Sequence, residues 1–481
     1  MPIQQSGAAM DSAPGNSAPS NMAHLLRRAA FGASAAELDT AVTAGYPATV
    51  ERLLAGGGAA PDPTGDRIPV PAFTPYHKVQ AKHGTPQALA EVRAQLRTLI
   101  AEVPPLQAWW LNRMIVTSTP LREKMALLWH GHFATSISKV KDPHLMYLQN
   151  QLFRTAGMGS FAELTQAVAK GGAMMVWLDT ATDKKAHPNE NFARELMELF
   201  TLGVGNYSQN DVVQGARCFT GWTYDRTSDQ WVLQVRQHDD GTKTFLGRTA
   251  NLTGEEAITT ILAQPASARF VVAKVWSHLA YPVETTDPVV VDLLRAYTPS
   301  FSITDLLRAV FNHPAFLSPT AKAGLVKQPI EYLVGAARAL RLGASGERLD
   351  PASGLPVAAP VAGQAAKGRT SAAHAGLAAA ATALAQTPFN PSNVGGWPQN
   401  AYWLNTSTAL ARVRIAQSLA SNGDLSSVEA VPVSQRVAAA AKLLGVVDGW
   451  GPTTAAALAP AAGSPANLVA LALTSPEYVL N

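Results

Sequence analysis

Apolar and polar positions follow a helical period along most of the chain, and strong start and stop signals divide this pattern into elements. From Met22 the segment HLLRRAAFG (24–32) predicts a first helix, and Ser34 with Glu37 predicts a capping box that begins the second. Further helical patterns cover 86–128, 189–202, 209–219, 254–316, 326–342 and 406–478. Many helices with few strands predict a mainly α fold, in which residues 21–481 form one large multi-helix domain.

One segment departs from the helical period. Between Gln230 and Gly247 the runs WVLQVRQ and TKTFLG flank an Asp-Gly dipeptide, which is typical of a β-hairpin turn. We therefore expect one embedded β-hairpin. Residues 1–20 are polar and rich in small side chains, which predicts a disordered tail. Residues 344–370 are rich in Gly, Pro and Ala and predict a long loop or insertion.

Composition and charge exclude several classes of function. Charged residues make up 15% of the chain and the formal net charge is only +4. Basic residues are not interleaved with aromatic ones, so we expect no nucleic-acid partner. No window is apolar enough to span a membrane, and the N-terminus lacks the apolar core of a signal peptide, which together predict a cytoplasmic protein. Cys218 is the only cysteine, so thiolate-rich metal sites and intrachain disulfides are excluded.

The segment LREKMALLWHGHFATS (121–136) carries the first candidate chemistry. On a helix His132 continues an apolar stripe with Trp129, whereas His130 points about 200° away from it. Both imidazoles can reach one metal ion only if the helix loosens at Gly131. The alternative is that one histidine packs in the core and the other is exposed or hydrogen-bonded.

The second candidate is the helix predicted within PNENFARELMELFTLG (188–203). Its apolar residues occupy most of the circumference, which predicts a largely buried helix with one polar stripe. Carboxylates buried there would need an ion-pair partner or a bound cation. In the alternative the stripe faces solvent and Arg194 pairs with Glu198 at i, i+4. The stripe consists of Asn191, Arg194, Glu195 and Glu198.

The third candidate is the segment HDDGTK (238–243). His238 ends a predicted strand and could bind a metal, with Asp239 orienting its ring. In the alternative His238 is an ordinary surface histidine beside a turn.

Three hypotheses of function follow, and whether the protein is an enzyme stays open. The first is a metal-dependent hydrolase or oxidoreductase, since nitrogen and carboxylate ligands suit Zn, Fe or Mn. Its metal ligands would be His130, His132, Glu195 and His238, and its catalytic residues Glu198, Arg194 and Asp239. The second hypothesis is a non-catalytic helical scaffold or binding partner. The third is an anion or carbohydrate surface formed by HDDGTK with Arg27 and Arg28. The sequence contains no phosphate-binding loop, HExxH zinc motif, EF-hand loop or dinucleotide-binding fingerprint.

Eight segments carry a family resemblance and cover the chain from its first helix to its end. They are HLLRRAAFG (24–32), PLREKMALLWHGHFATS (120–136), NENFARELMELFTLGVGNYSQNDV (189–212), ARCFTGW (216–222), HDDGTKTFLG (238–247), VKQPIEYLVG (326–335), NVGGWPQNAYWLNTS (393–407) and SPEYVLN (475–481). In these motifs and their order the chain closely resembles the bacterial family known as domain of unknown function 1800.

The resemblance implies no particular reaction. Members of this family often look exported, and their genes often lie beside those of a second, phosphatase-like or sulfatase-like family. The resemblance therefore implies a protein partner from a neighbouring gene, although this chain carries no recognisable export signal. The polar residues singled out above lie inside the family's motifs, which favours a joint role for His130, His132, Glu195 and Glu198.

Overall fold

The computed structural model describes residues 17–58, 60–76, 85–298, 300–350 and 376–480. Of the predicted tail and the predicted long loop, residues 1–16 and 351–370 lie outside this part of the chain.

The first half of the chain folds into short and medium helices whose starts follow local capping chemistry. Ser34 and Glu37 form the predicted capping box, with the Ser34 amide donating to Glu37 over 2.7 Å. Four helices between residues 137 and 177 were not assigned from the sequence. The helices are α1 (Pro19–Ala29), α2 (Ala35–Ala44), α3 (Tyr46–Ala55), α4 (Pro86–Val116), α5 (Pro120–His132), α6 (Ile137–Val140), α7 (Pro143–Ala156), α8 (Phe161–Ala169), α9 (Gly172–Trp177), α10 (Glu190–Glu195) and α11 (Gln209–Phe219).

The second half is also helical, and proline at the first turn starts many of its elements because proline fixes φ and needs no amide partner there. The helices are α12 (Gly254–Leu262), α13 (Pro265–Leu279), α14 (Pro288–Tyr297), α15 (Ile303–Asn312), α16 (Pro319–Lys322), α17 (Pro329–Ala339), α18 (Gly376–Ala383), α19 (Thr406–Asn422), α20 (Ser426–Glu429), α21 (Arg436–Leu443), α22 (Pro452–Leu458), α23 (Pro465–Leu473) and α24 (Pro476–Val479). The predicted mainly α class is confirmed.

The strands pair differently from the sequence-based expectation. The structure has two antiparallel hairpins, one formed by β1 (Trp222–Asp225) with β2 (Gln230–Leu233), the other by β3 (Lys243–Phe245) with β4 (Arg248–Ala250). The Asp-Gly dipeptide therefore lies between the hairpins rather than at the turn of one. The expected pairing was wrong because each strand finds a closer partner on its other side.

Buried apolar side chains from Met22 to Val479 form one continuous core cluster. Helix α5 lies inside it and packs against α1, α3, α4 and α7. Every α5 residue from Leu121 to His130 is buried, including Glu123 and Lys124. In the described part of the chain, no helix is both long and apolar enough to cross a membrane.

Candidate functional site

The two candidate histidines of α5 face different surroundings. His130 is 1% exposed, and the rings of Trp110, Phe389 and Trp397 lie with their centroids 5.1–5.4 Å from its own. Burial lowers the pKa of His130 to about 3. The Nε2 atom of His132 lies 2.9 Å from the carbonyl oxygen of Phe200, and burial is also the largest cause that lowers its pKa to about 3. Both side chains are therefore neutral at pH 7, His130 fully buried and His132 partly buried.

The polar stripe after residue 189 is interrupted by a change of helix type. Helix α10 ends at Glu195, and Leu196–Thr201 continue as a π-helical turn. The wider turn changes the angular spacing of the side chains, and the expected Arg194–Glu198 pair is not formed. Arg194 instead donates to Glu190 over 2.9 Å, and the hydroxyl of Tyr207 donates to Glu198.

Glu195 lies at the junction of the two helix types and is half-buried. Desolvation, followed by the charge of Glu198, raises the pKa of Glu195.

His238 and Asp239 do not act on one another. The Nδ1 atom of His238 lies 2.8 Å from the carbonyl oxygen of Thr220. Both carboxylate oxygens of Asp239 accept from the guanidinium of Arg217, over 2.7 and 3.1 Å. The carboxylate of Asp239 is thus bound by Arg217 from α11, whereas the expected role was to orient His238. These contacts fix the connection between the two hairpins.

Among the described residues, no three His, Cys, Asp or Glu side chains are grouped so that they could hold a metal ion. The four residues selected as metal ligands are thus not brought together: two lie on different sides of α5, one on α10 and one between the hairpins.

A different charged cluster lies where α1, α5 and α17 meet. Lys124 of α5 forms a buried ion pair with Glu331 of α17. The Nη2 atom of Arg28, on α1, donates to the carbonyl oxygen of Ala280 over 3.1 Å and to that of Ala321. Each of these side chains comes from a different motif, and the sequence separation between Arg28 and Glu331 exceeds three hundred positions.

Lys327 is the most unusual member of this cluster. It is 9% exposed and its Nζ atom lies 3.6 Å from the centre of the Tyr478 ring. It forms no ion pair with any carboxylate in the described part of the chain. Its backbone is fixed, since its amide donates to Val479 over 2.9 Å beside the Val326–Leu480 bridge. Burial and the positive charge of Arg27 hold the pKa of Lys327 well below its usual value.

The cluster carries more positive than negative charge. Among the described residues, the carboxylates whose charge favours these cations are Glu331 and, for Arg27, Asp448. Four positive charges against two negative ones leave a net charge of +2. The four cations are Arg27, Arg28, Lys124 and Lys327.

A small cavity adjoins this charge excess. It offers about 30 Å³ for the centres of water-sized molecules, and Arg27, Lys327 and Arg338 line it together with Phe31 and Tyr478. This is room for a few solvent-sized atoms and their van der Waals shells. Arg338 is already engaged, because it pairs with Glu37 over 2.8 Å and donates to a backbone carbonyl. Arg27 and Lys327 are therefore the cations available to a ligand.

Three larger cavities, of about 340, 890 and 630 Å³, share walls with the first one. All four are lined by residues between 32 and 36, at the end of the α1–α2 connection and the start of α2. The turn there requires Gly32, whose φ is +87°, a conformation that other residues rarely adopt. We call this connected set of cavities the α1–α2 cleft.

Sequence reasoning found only part of this site. It selected Arg27 and Arg28 as an anion surface, but joined them to HDDGTK, which contributes no residue to the walls of the cationic cavity. It missed Lys327, and the signal available was the dense charge of the segments HLLRRAAFG and VKQPIEYLVG.

Comparison with known proteins gives one match. A family model described as "Protein of unknown function (DUF1800)" matches residues 24–480. No curated protein and no solved structure matches significantly.

Proposed function

The chain belongs to the DUF1800 family, and we propose that it is a binding protein for a small anionic molecule, held in the cationic cavity between α1 and α17. One observation carries this proposal. Lys327 is buried, faces the cavity, and has no carboxylate partner among the described residues.

The physical reason is the cost of burying charge without compensation. Removing an ammonium group from water is expensive, and nearby positive charges add to that cost. An anion in the cavity would lower the cost for Arg27 and Lys327 together. Arg27 can offer parallel N–H donors to a carboxylate or phosphate, and Lys327 can act as a point charge.

This proposal develops the anion-surface hypothesis, which included Arg27 and Arg28, rather than the metal-dependent enzyme. Hydrogen bonds account for His132 and His238 without a ligand, whereas His130 has ring contacts and its buried Nε2 atom has no hydrogen-bond partner among the described residues. Nothing in the geometry selects hydrolase or oxidoreductase chemistry with Zn, Fe or Mn.

The test measures the free energy of unfolding with increasing formate, acetate or phosphate, at constant ionic strength set with chloride. A ligand that binds only the folded state stabilises it by about 2.7 kcal/mol at one hundred times its Kd. We expect this gain in the wild type and its loss in Lys327→Met and Arg27→Gln.

Lys139→Met is the matched control, because it removes an equal charge from an exposed ion pair with Asp179. It should keep the full gain. Equal stabilisation of Lys327→Met and the wild type by each anion would contradict the proposal.

We further propose that residues 21–481 form one domain, which the continuous core from Met22 to Val479 supports. Limited proteolysis should then give no stable fragment. A cytoplasmic location also remains a proposal, and cell fractionation tests it.

A further inference from the structure

An apolar part of the α1–α2 cleft lies beside the cationic cavity. Ala33, Leu38 and Gly445 line both spaces, so they are neighbours with a shared wall. The second space offers about 630 Å³, far more than a small anion needs.

The walls of this second space are mainly alkyl groups. Leu38 from α2 lies on one side, Val437 and Ala441 from α21 on the other, and Trp450 closes one end. The indole nitrogen of Trp450 donates to the carbonyl oxygen of Val437 over 2.8 Å, so the ring presents apolar surface to the cleft. Ala438 of α21 is exposed and lines the same space.

Positive charge at one end and alkyl surface along the rest define the shape of a ligand. We infer that the α1–α2 cleft binds a straight-chain carboxylate, with its head group at Arg27 and Lys327 and its aliphatic chain between α2 and α21. This inference rests on the proposed anion-binding function and adds the class of ligand.

An extended peptide fits this cleft less well. Each residue of a peptide carries an amide N–H and a carbonyl that need hydrogen-bond partners when they leave water. Apart from Asp39, Ser434 and Lys442, the side chains that line this space are mostly alkyl groups and supply no such partner, whereas an aliphatic chain requires none. The carboxylate is also the smallest oxyanion head with two acceptor oxygens, which suits the limited room beside Lys327.

Isothermal titration calorimetry with acetate, butyrate, hexanoate and octanoate, kept below the concentration at which they aggregate, tests the inference. Each buried methylene contributes about 0.8 kcal/mol, which is about a fourfold gain in affinity, and partial exposure would lower the gain to about twofold. We therefore expect octanoate to bind at least about 50-fold more tightly than acetate.

Two variants separate the head from the chain. Ala438→Phe fills the apolar space without touching the cationic cavity, so it should keep acetate binding and lose most of the dependence on chain length. Ala456→Phe, at an exposed position of α22 that lines none of the cavities described above, is its control. Lys327→Met should weaken all four carboxylates by a similar factor.

The outcomes distinguish the inference from the proposed function. Equal affinity for acetate and octanoate would overturn the inference and leave the anion site standing. If no carboxylate and no phosphate binds, the inference and the proposed anion-binding function are both overturned. Octanoate binding that appears only after residues 1–16 are removed would assign the cleft to the chain's own segment and overturn the inference. Tighter binding of a peptide with a free C-terminal carboxylate would overturn it as well.

Discussion

Glu123 and Lys124 are neighbours in α5, yet they belong to two buried charged clusters of opposite character. Glu123 is fully buried and accepts from Arg154 over 2.5 and 3.0 Å, from Arg113 over 3.3 Å and from the Trp110 indole over 3.2 Å. Burial raises the pKa of Glu123, but the charge and hydrogen bonds of the two arginines more than offset this, so its pKa lies below the usual value.

The Glu123 cluster is balanced, whereas the Lys124 cluster is not. The first contains three cations and three carboxylates: Arg113, Arg122 and Arg154 with Asp62, Asp66 and Glu123. The second has a net charge of +2 and adjoins a cavity. Buried charges that satisfy one another serve the architecture, and a buried excess beside open space indicates a ligand.

The largest effect is expected for Glu123→Gln. The variant leaves Arg154 buried without its carboxylate and removes one of the three carboxylates around Arg113, and breaking such a buried pair costs about 3–5 kcal/mol of unfolding free energy. Denaturation by urea measures it, with the exposed Glu163→Gln as control. A loss below about 1 kcal/mol would show that the Glu123 cluster is not a structural network.

Glu331→Gln should have a smaller effect of a different kind. It removes the carboxylate that pairs with Lys124, and we expect the unfolding free energy to fall by about 2–3 kcal/mol. The fall is smaller than for Glu123→Gln because one cation, rather than two, loses an ion pair. Added acetate should recover part of this loss, because an anion in the adjoining cavity replaces some of the missing charge. Acetate should not rescue Glu123→Gln. Rescue of both variants or of neither would remove the distinction between the clusters.

Lys327→Met should be as stable as the wild type without an anion, or more stable by about 1–2 kcal/mol, because it removes a buried charge that forms no ion pair with the described residues. If Lys327 had a purely structural role, Lys327→Met would instead lower the unfolding free energy.

The same variant predicts a pH dependence with a definite sign. The folded-state pKa of Lys327 lies well below 10.5, its value in the unfolded chain, so the unfolded chain binds more protons between these two values. The wild type therefore loses stability relative to Lys327→Met as pH falls from 10.5 towards the folded pKa, by at most about 1.4 kcal/mol per pH unit. Urea denaturation of both proteins at pH 9.5 and 8.5 tests this. An advantage of the variant that shrinks on acidification would contradict it.

Features set by neighbouring residues could be predicted from the sequence. The predicted capping box of α2 joins residues three positions apart, Ser34 with Glu37, and α11 begins and ends where the sequence indicates. The pairing of the strands was harder to predict from the sequence. Trp222 pairs with Leu233, whereas the Asp-Gly signal favoured a pairing between the two segments that flank it.

The charged clusters could not be read from local patterns at all. Lys124 and Lys327 lie about two hundred positions apart, and only the packing of α5 against the rest of the core brings them together.

The prediction of a continuous polar stripe on α10 failed for a local reason. A π-helical turn begins at Leu196, and helical projection at 100° per residue does not hold beyond that point.

The smallest effect is expected in this α10 stripe, which belongs to neither cluster. Arg194 pairs with Glu190 at i, i+4, and both side chains are more than a third exposed. Water and salt screen such pairs, which are worth about 0.3–0.5 kcal/mol. Arg194→Ala should therefore lower the unfolding free energy by no more than this, and the loss should shrink further in high salt.

The size of the Arg194→Ala effect decides whether the stripe is surface or site. A loss above about 2 kcal/mol that salt does not reduce would require a partner in addition to Glu190, and Glu195, whose pKa burial raises, is the nearest carboxylate in sequence. Elemental analysis of the wild type beside Glu195→Ala would then show whether Glu195 also binds a metal ion. A small, salt-sensitive loss of unfolding free energy with unchanged metal content would show that the α10 stripe is an ordinary solvated helix face. Of the Glu123 cluster, the Lys124 cluster and the α10 stripe, only the Lys124 cluster, with its charge excess around Lys327, would then call for a ligand.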